Sequence, residues 1–388
     1  MDNRLIVSGA DIYPDDTTVI KKGTLIAADG KVEALLPAGT DTAGLTGRRI
    51  DGSGLNLLPG FIDVHVHGGY GHEFMDASQA NLEQFSTRTL AEGCTAFYAS
   101  LVCGYQDELV AIMTTYAGLK EPTGAHWLGI HMEGPFLSQD YKAVMRPDTL
   151  RMPSLEQFKQ MRQAAGGRLK YMTIAPELPG ALDVISYGMR NGVGMMVGHS
   201  GADCQQAEAG LHAGALGFTH FYNAMSQHEH RLPGVVTAGL ASRTALCELI
   251  ADGYHVHPDV IRATYRVLGP RQLALITDAT LMRGLPDGTY PFSGYQVHKK
   301  DGTAKLDNGR LAGSVIGMDQ AVRKMIAITG CGLNDIVRMA SINPAQLARV
   351  SQTKGSLQVG HDADMILMDD GMQVAQTFIM GRPAYSRA

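Results

Sequence analysis

An α/β fold is predicted, a (β/α)8 barrel carrying a small β-sandwich built from both termini, and three observations predict it. Eight short apolar runs (FIDVHVH, CTAFYAS, WLGIHME, LKYMTIA, GMMVGHS, GFTHF, LCELIAD and LALITDA) each precede polar loop and helix-like sequence, a spacing suited to repeated strand–helix units. The two ends of the chain have a different texture, short strands broken by glycine and turn residues. Five of the eight runs finish on a metal-binding or acid–base side chain: His65 with His67, Glu133, His199, His220 and Asp278. Buried parallel strands are expected to be continuously apolar, so polar residues at their carboxyl ends mark the face where barrels build their sites.

The elements follow in order. Residues 1–58 hold RLIVSGADIY and GTLIAADGKVEALLP, with ADGK as a turn between β-rich runs. The segment 355–388 repeats that pattern in GSLQVGHDADMILMD and MQVAQTFIMGRPAY. One β-domain is therefore expected from 1–58 plus 350–388, with the barrel spanning 59–349. The first barrel run, PGFIDVHVHG, reads as a strand whose alternation sets His65 and His67 on one face above Asp63, with Ile62, Val64 and Val66 opposite, packed under helices. Two imidazoles side by side can bind a divalent metal; a satisfied histidine pair in a half-buried strand is the plainer reading, and the strand-end pattern of the whole chain favours the metal. DGTYPFSGYQV, after the eighth run, reads as a hairpin near the site mouth.

Composition narrows the function. The chain has 388 residues, 45% hydrophobic and 18% charged, with a net charge of -5 and no Lys/Arg run, so a nucleic-acid or anionic-membrane partner is not expected. No early apolar run suits a signal segment and no stretch reaches the ~20 apolar residues of a membrane span, so a cytoplasmic location is expected. The five cysteines are scattered without a C-x-x-C pair and read as reduced core thiols. The 20 methionines, Met195 and Met196 among them, read as core filling.

PGFIDVHVHG, HMEGPF, GHSGAD, THFYNAM, ADGYHVHP, TDAT, LAGS and NPA stand in this order along nearly the whole chain, and together they resemble the N-acetylglucosamine-6-phosphate deacetylases of the amidohydrolase superfamily. The resemblance implies a barrel with a β-sandwich from both termini. It implies that Glu133, His199 and His220 hold the principal metal, zinc or iron, with an open position for water. His65 and His67, which some relatives lack, imply a second ion with Glu133 between the two; His131 is expected to be structural. Asp278 is implied as general base and then acid, against the plainer reading of a helix N-cap. For substrate, the resemblance implies Asn223 and Ala224 offering amide groups to a phosphate, Arg231 supplying a cation, and His255 holding a sugar oxygen or polarising the carbonyl. Arg231 is expected to reach a neighbouring subunit's site, which implies a homodimer.

Two positions depart from that pattern. YKAVMRP places Met145 where the family usually has a histidine that contacts substrate, and RLPG places Leu232 where a glutamate is usual. No ligand or acid–base residue is touched, so the expected chemistry stands, while the galactosamine epimer or a different N-acyl compound becomes an alternative substrate. A dihydroorotase-like enzyme would want a carboxylated lysine at the carboxyl end of the fourth run, but Lys170 sits at its start. A non-enzymatic scaffold would be expected to have lost a ligand or Asp278.

Overall fold

The computed structural model describes residues 4–387. Its central element is a sheet of eight parallel strands in sequence order: β1 (Phe61–Asp63), β2 (Cys94–Leu101), β3 (His126–Glu133), β4 (Leu169–Ile174), β5 (Gly194–Val197), β6 (Gly217–Phe218), β7 (Leu246–Ile250) and β8 (Leu273–Ile276). All eight are the predicted runs. β1 and β8 meet just past their ends, where Asp278 N–H donates to His65 O at 2.8 Å and His67 N–H to Ala279 O at 2.8 Å. Asp63 adds a brace, accepting from the Thr277 hydroxyl at 2.5 Å, and so the ring is joined.

Each strand is followed by a helix, beginning with Gln79–Arg88 and ending with Met318–Thr329. Their starts are written locally: Ser78, Ser154 and Asp203 each accept a hydrogen bond from the third residue of the helix they precede, satisfying an otherwise orphaned donor. Alternate strand residues divide between two cores. Phe97, Ile130, Met172, Val197 and Leu249 pack outward under the helices, whereas Tyr98, Tyr171, Met196, Ile250 and Ile276 fill the barrel. Met195 and Met196 are both core residues, as expected.

One detail of the first run differs from the reading above. β1 ends at Asp63, so His65 and His67 lie on irregular chain beyond the strand, and Ile62 and Val64 join the cluster inside the barrel instead of packing under helices. Strict alternation breaks because the chain must leave β geometry to make the bonds that join β1 to β8.

The termini form a second sheet, also of eight strands, in which Asn56–Pro59 pairs antiparallel with Met365–Met368 and so joins the two ends of the chain. Leu5–Ile12 pairs with both Arg48–Asp51 and Asn56–Pro59, branching the sheet over its own core of Val7, Ile12, Leu25, Met365 and Phe378. The expected hairpin after β8 is a three-stranded sheet, Gly288–Phe292, Tyr295–Lys300 and Thr303–Lys305. Its Phe292 ring stands 6.3 Å from that of His67, so the insertion covers one side of the barrel mouth. The five cysteines form no disulfide. No helix among the described residues is long and apolar enough to cross a membrane.

Candidate metal and hydrolytic site

At the carboxyl end of the barrel six side chains expected from the sequence converge in two trios. Glu133, His199 and His220 form one and His65, His67 and Asp278 the other. In the first, His199 Nε2 and His220 Nε2 each stand 3.0 Å from Glu133 Oε1 and 3.0 Å from one another. In the second, His65 Nε2 and His67 Nε2 are 3.2 Å apart, with Asp278 Oδ1 at 3.6 and 3.2 Å. Glu133 touches both, Oε1 lying 3.4 Å from His65 Nε2 and Oε2 3.3 Å from His67 Nε2. Ligand atoms about 2.0–2.1 Å from a tetrahedral zinc stand about 3.3 Å apart, and these separations fall around that value.

The second nitrogens fix the tautomers. His67 Nδ1 faces the Ser100 carbonyl at 3.2 Å and His199 Nδ1 the Tyr141 carbonyl at 2.8 Å; a carbonyl only accepts, so both Nδ1 atoms carry protons. His65 Nδ1 faces Glu248 Oε2 at 3.3 Å to the same effect. The Nε2 atoms are left as lone pairs aimed at each other and at carboxylates, an arrangement that requires positive charge in the middle, either protons or a metal. Burial pushes the Glu133 and Asp278 carboxyls up, but the imidazoles around them outweigh it and hold both below the usual range. Burial likewise opposes the His67 imidazolium, yet Asp278 and Glu133 push it up to about 10. Two nitrogens and a carboxylate oxygen per trio suit zinc or ferrous iron by donor type and number.

The backbone presents these groups at a cost. His199, His220 and Asp278 all have left-handed backbones, with φ of 49°, 30° and 48°. Neighbouring glycines allow close approach: a Cβ on Gly198 would lie 2.7 Å from the Thr173 side chain and 2.8 Å from that of Thr219. Ser314 of LAGS steadies Asp278, its N–H donating to the Asp278 carbonyl at 2.8 Å and its hydroxyl to the Thr277 carbonyl at 2.5 Å. Asp278 is no helix cap, since the next helix begins at Met318.

The trios open into a cavity of about 320 Å³ lined also by Tyr141, Met145, Asn223, Ala224, His255, Phe292 and Arg310. His255 is oriented by Asp252, Nδ1 to Oδ2 2.6 Å, which leaves its other ring nitrogen for the cavity. Asn223 also lines it, its side-chain NH2 donating to the carbonyls of His220 and Phe221 and its backbone N–H to that of His220. The Ala224 N–H has no acceptor among the described residues. Arg231 lies outside its own chain's cavity, on an exposed loop beside Leu232, which is 79% exposed. His131 spends both nitrogens on the hydroxyls of Ser100 and Thr173, at 2.9 and 3.0 Å, and is structural.

Sequence reasoning missed Glu248. Fully buried, it accepts from Tyr171 OH at 2.7 Å and from the His220 N–H at 3.3 Å, and it anchors His65. A glutamate inside the apolar run LCELIAD was the available signal. Arg310 was missed as well, and nothing in NGRLAGS distinguishes it from a loop charge.

Residues 56–384 match the model of the amidohydrolase family. The chain is 37% identical over 334 residues to an N-acetylglucosamine-6-phosphate deacetylase of Bacillus subtilis, covering 85% of this chain and 84% of that protein. It is 35% identical over 336 residues to an N-acetylgalactosamine-6-phosphate deacetylase of Escherichia coli O157:H7, covering 84% of this chain and 87% of that one. Among solved structures, a mutant N-acetyl-D-glucosamine-6-phosphate deacetylase of Mycobacterium smegmatis in complex with N-acetyl-D-glucosamine-6-phosphate superposes with a TM-score of 0.91 at 29% identity, over 99% of this chain and 100% of that one. The Pasteurella multocida deacetylase gives 0.91 at 30% identity, with the same coverage. On this evidence the chain belongs to the amidohydrolase family.

Proposed function

We propose that this protein hydrolyses the acetamide of N-acetylglucosamine 6-phosphate to glucosamine 6-phosphate and acetate. The observation that carries the reading is the pair of metal-competent trios, one holding Asp278, with Glu133 of the other reaching across to His65 and His67 at one cavity. The names of the similar proteins support the substrate. Glu133, His199 and His220 would hold one divalent ion, zinc or iron, and His65 and His67 a second with Glu133 between. Such an ion, when bound, lowers the pKa of water and polarises a carbonyl.

The chain's own residues supply the rest. Asp278, ionised and standing in the second trio next to Glu133, His65 and His67, takes the proton of the attacking water as the new C–O bond forms at the amide carbon. It returns that proton to the nitrogen as the C–N bond breaks, because the leaving group must depart as a neutral amine. His255, held by Asp252, donates to or polarises a substrate oxygen, and the Ala224 N–H faces the anionic end. Arg231, exposed and outside its own cavity, is assigned to a partner's site in a homodimer.

The galactosamine epimer is the second reading, favoured by the E. coli relative and by Met145 in the cavity wall. Acetate release by purified protein from both epimers, each with and without the 6-phosphate, and from one unrelated N-acyl compound, tests the assignment. Preferential turnover of N-acetylglucosamine 6-phosphate is expected. Turnover of the unrelated compound alone would refute the sugar phosphate while leaving an amide hydrolase.

A further inference from the structure

Among the residues lining the cavity, histidines aside, Arg310 is the sole cationic side chain. It sits on a turn of the insertion after β8, pinned by the Leu306 N–H donating to the Arg310 carbonyl at 2.9 Å and by the Asn308 side chain accepting from the Arg310 N–H at 3.0 Å. Its Nη1 crosses the mouth to donate to the Ala143 carbonyl at 2.9 Å, in the loop that also carries Met145. A guanidinium has five N–H donors, and among the described residues none of the other four finds a partner and no carboxylate pairs with this charge. Nearby Arg146 is different, being held by Asp148 Oδ2 at 2.9 Å and Tyr105 OH at 3.1 Å.

We infer that Arg310 is a specificity-determining residue that receives the anionic group of the substrate from within the same chain, a role that rests on the function proposed above. The two ends of the cavity have opposite demands. The deep end gathers the carboxylates and imidazoles of the two trios, whereas the mouth presents a planar, multiply unsatisfied guanidinium suited to phosphate oxygens. Met145, which lines the same cavity, offers a thioether, which cannot donate. A substrate bearing an amide at one end and a dianion at the other is thereby oriented with the amide inward. Because Arg310 is exposed, its pull is screened by salt.

The test compares the holoenzyme with Arg310→Gln, Arg310→Lys and, as a control, Arg146→Gln. Arg310→Gln is expected to raise KM for N-acetylglucosamine 6-phosphate about ten- to a hundredfold with kcat nearly unchanged, to leave KM for unphosphorylated N-acetylglucosamine unaltered, and to flatten the salt dependence. Arg310→Lys should recover part of the loss and Arg146→Gln should match wild type. An unchanged ratio of KM between the two sugars in Arg310→Gln would overturn the proposal while the deacetylase reading stands. If wild type deacetylates neither sugar, that reading fails by itself. Titration of inorganic phosphate into metal-stripped protein by calorimetry then decides Arg310 alone: weaker binding in Arg310→Gln supports it, and equal binding overturns it.

Discussion

Two groups of buried acids in this molecule are treated in opposite ways. At the seam between the terminal sheet and the barrel, Asp364 and Asp362 are closed by lysines: Lys354 Nζ lies 2.5 Å from Asp364 and 2.8 Å from Asp362, and Lys31 Nζ 2.5 Å from Asp362, with the His126 ring beside Asp364 at 3.3 Å. At the barrel mouth Glu133 and Glu248 are more deeply buried and Asp278 is also buried, yet among the described residues no lysine or arginine pairs with them. Only imidazoles do. Fixed pairing makes a joint that never needs to change, whereas a carboxylate cluster balanced by titratable rings is left for an added cation to complete.

The largest effect is expected at Glu133, which serves both trios. Glu133→Gln removes the anionic ligand and should abolish bound metal and lower turnover at least about 10⁴-fold, with added metal expected to raise Tm in wild type and not in the variant. Full metal content in that variant would break the contrast between the two groups. Asp278→Asn sharpens it, since an amide can neither take nor return the proton: kcat should fall about 10²–10⁴-fold in protein that still holds at least one ion by elemental analysis. An unchanged kcat would reduce Asp278 to a structural brace. Glu248→Gln loosens the anchor of His65 and should weaken metal binding about 10–100-fold, read by competition with a chromogenic chelator.

The seam gives the smallest effect, and it is on stability. Burial pushes the Asp364 carboxyl up, but His126 and Lys354 outweigh it and set it at about 2, below its unfolded value. A depressed carboxyl contributes stability above its unfolded pKa and loses it as pH falls through the folded one. Asp364→Asn should therefore cost about 2 kcal/mol at neutral pH, converging on wild type between about pH 4 and pH 2, as followed by urea denaturation. A cost independent of pH would mean that packing, not charge, holds the seam.

The sequence was legible where chemistry forced rare residues into regular places. Side chains at the ends of parallel strands all point into the same mouth, so Glu133, His199, His220 and Asp278 could be read from strand position alone. His65 and His67 were identified for a partly wrong reason: alternation predicts their common face, but the chain leaves β geometry at Asp63 and the pair meets on irregular backbone. What was not legible depends on groups that sequence patterns do not register. The Tyr141 and Ser100 carbonyls that set histidine tautomers belong to the backbone. Arg310 reaches the cavity only because the insertion after β8 folds back over the mouth.

The acid cluster at the mouth is expected to work only when a divalent cation completes it. Protein stripped by chelation and dialysis is titrated with zinc or ferrous iron while acetate release from N-acetylglucosamine 6-phosphate and bound metal are measured on the same samples. Activity is expected to be lost on stripping, to return in proportion to bound metal, and to saturate at one or two equivalents per chain. Undiminished acetate release from protein shown by elemental analysis to be metal-free would contradict the account.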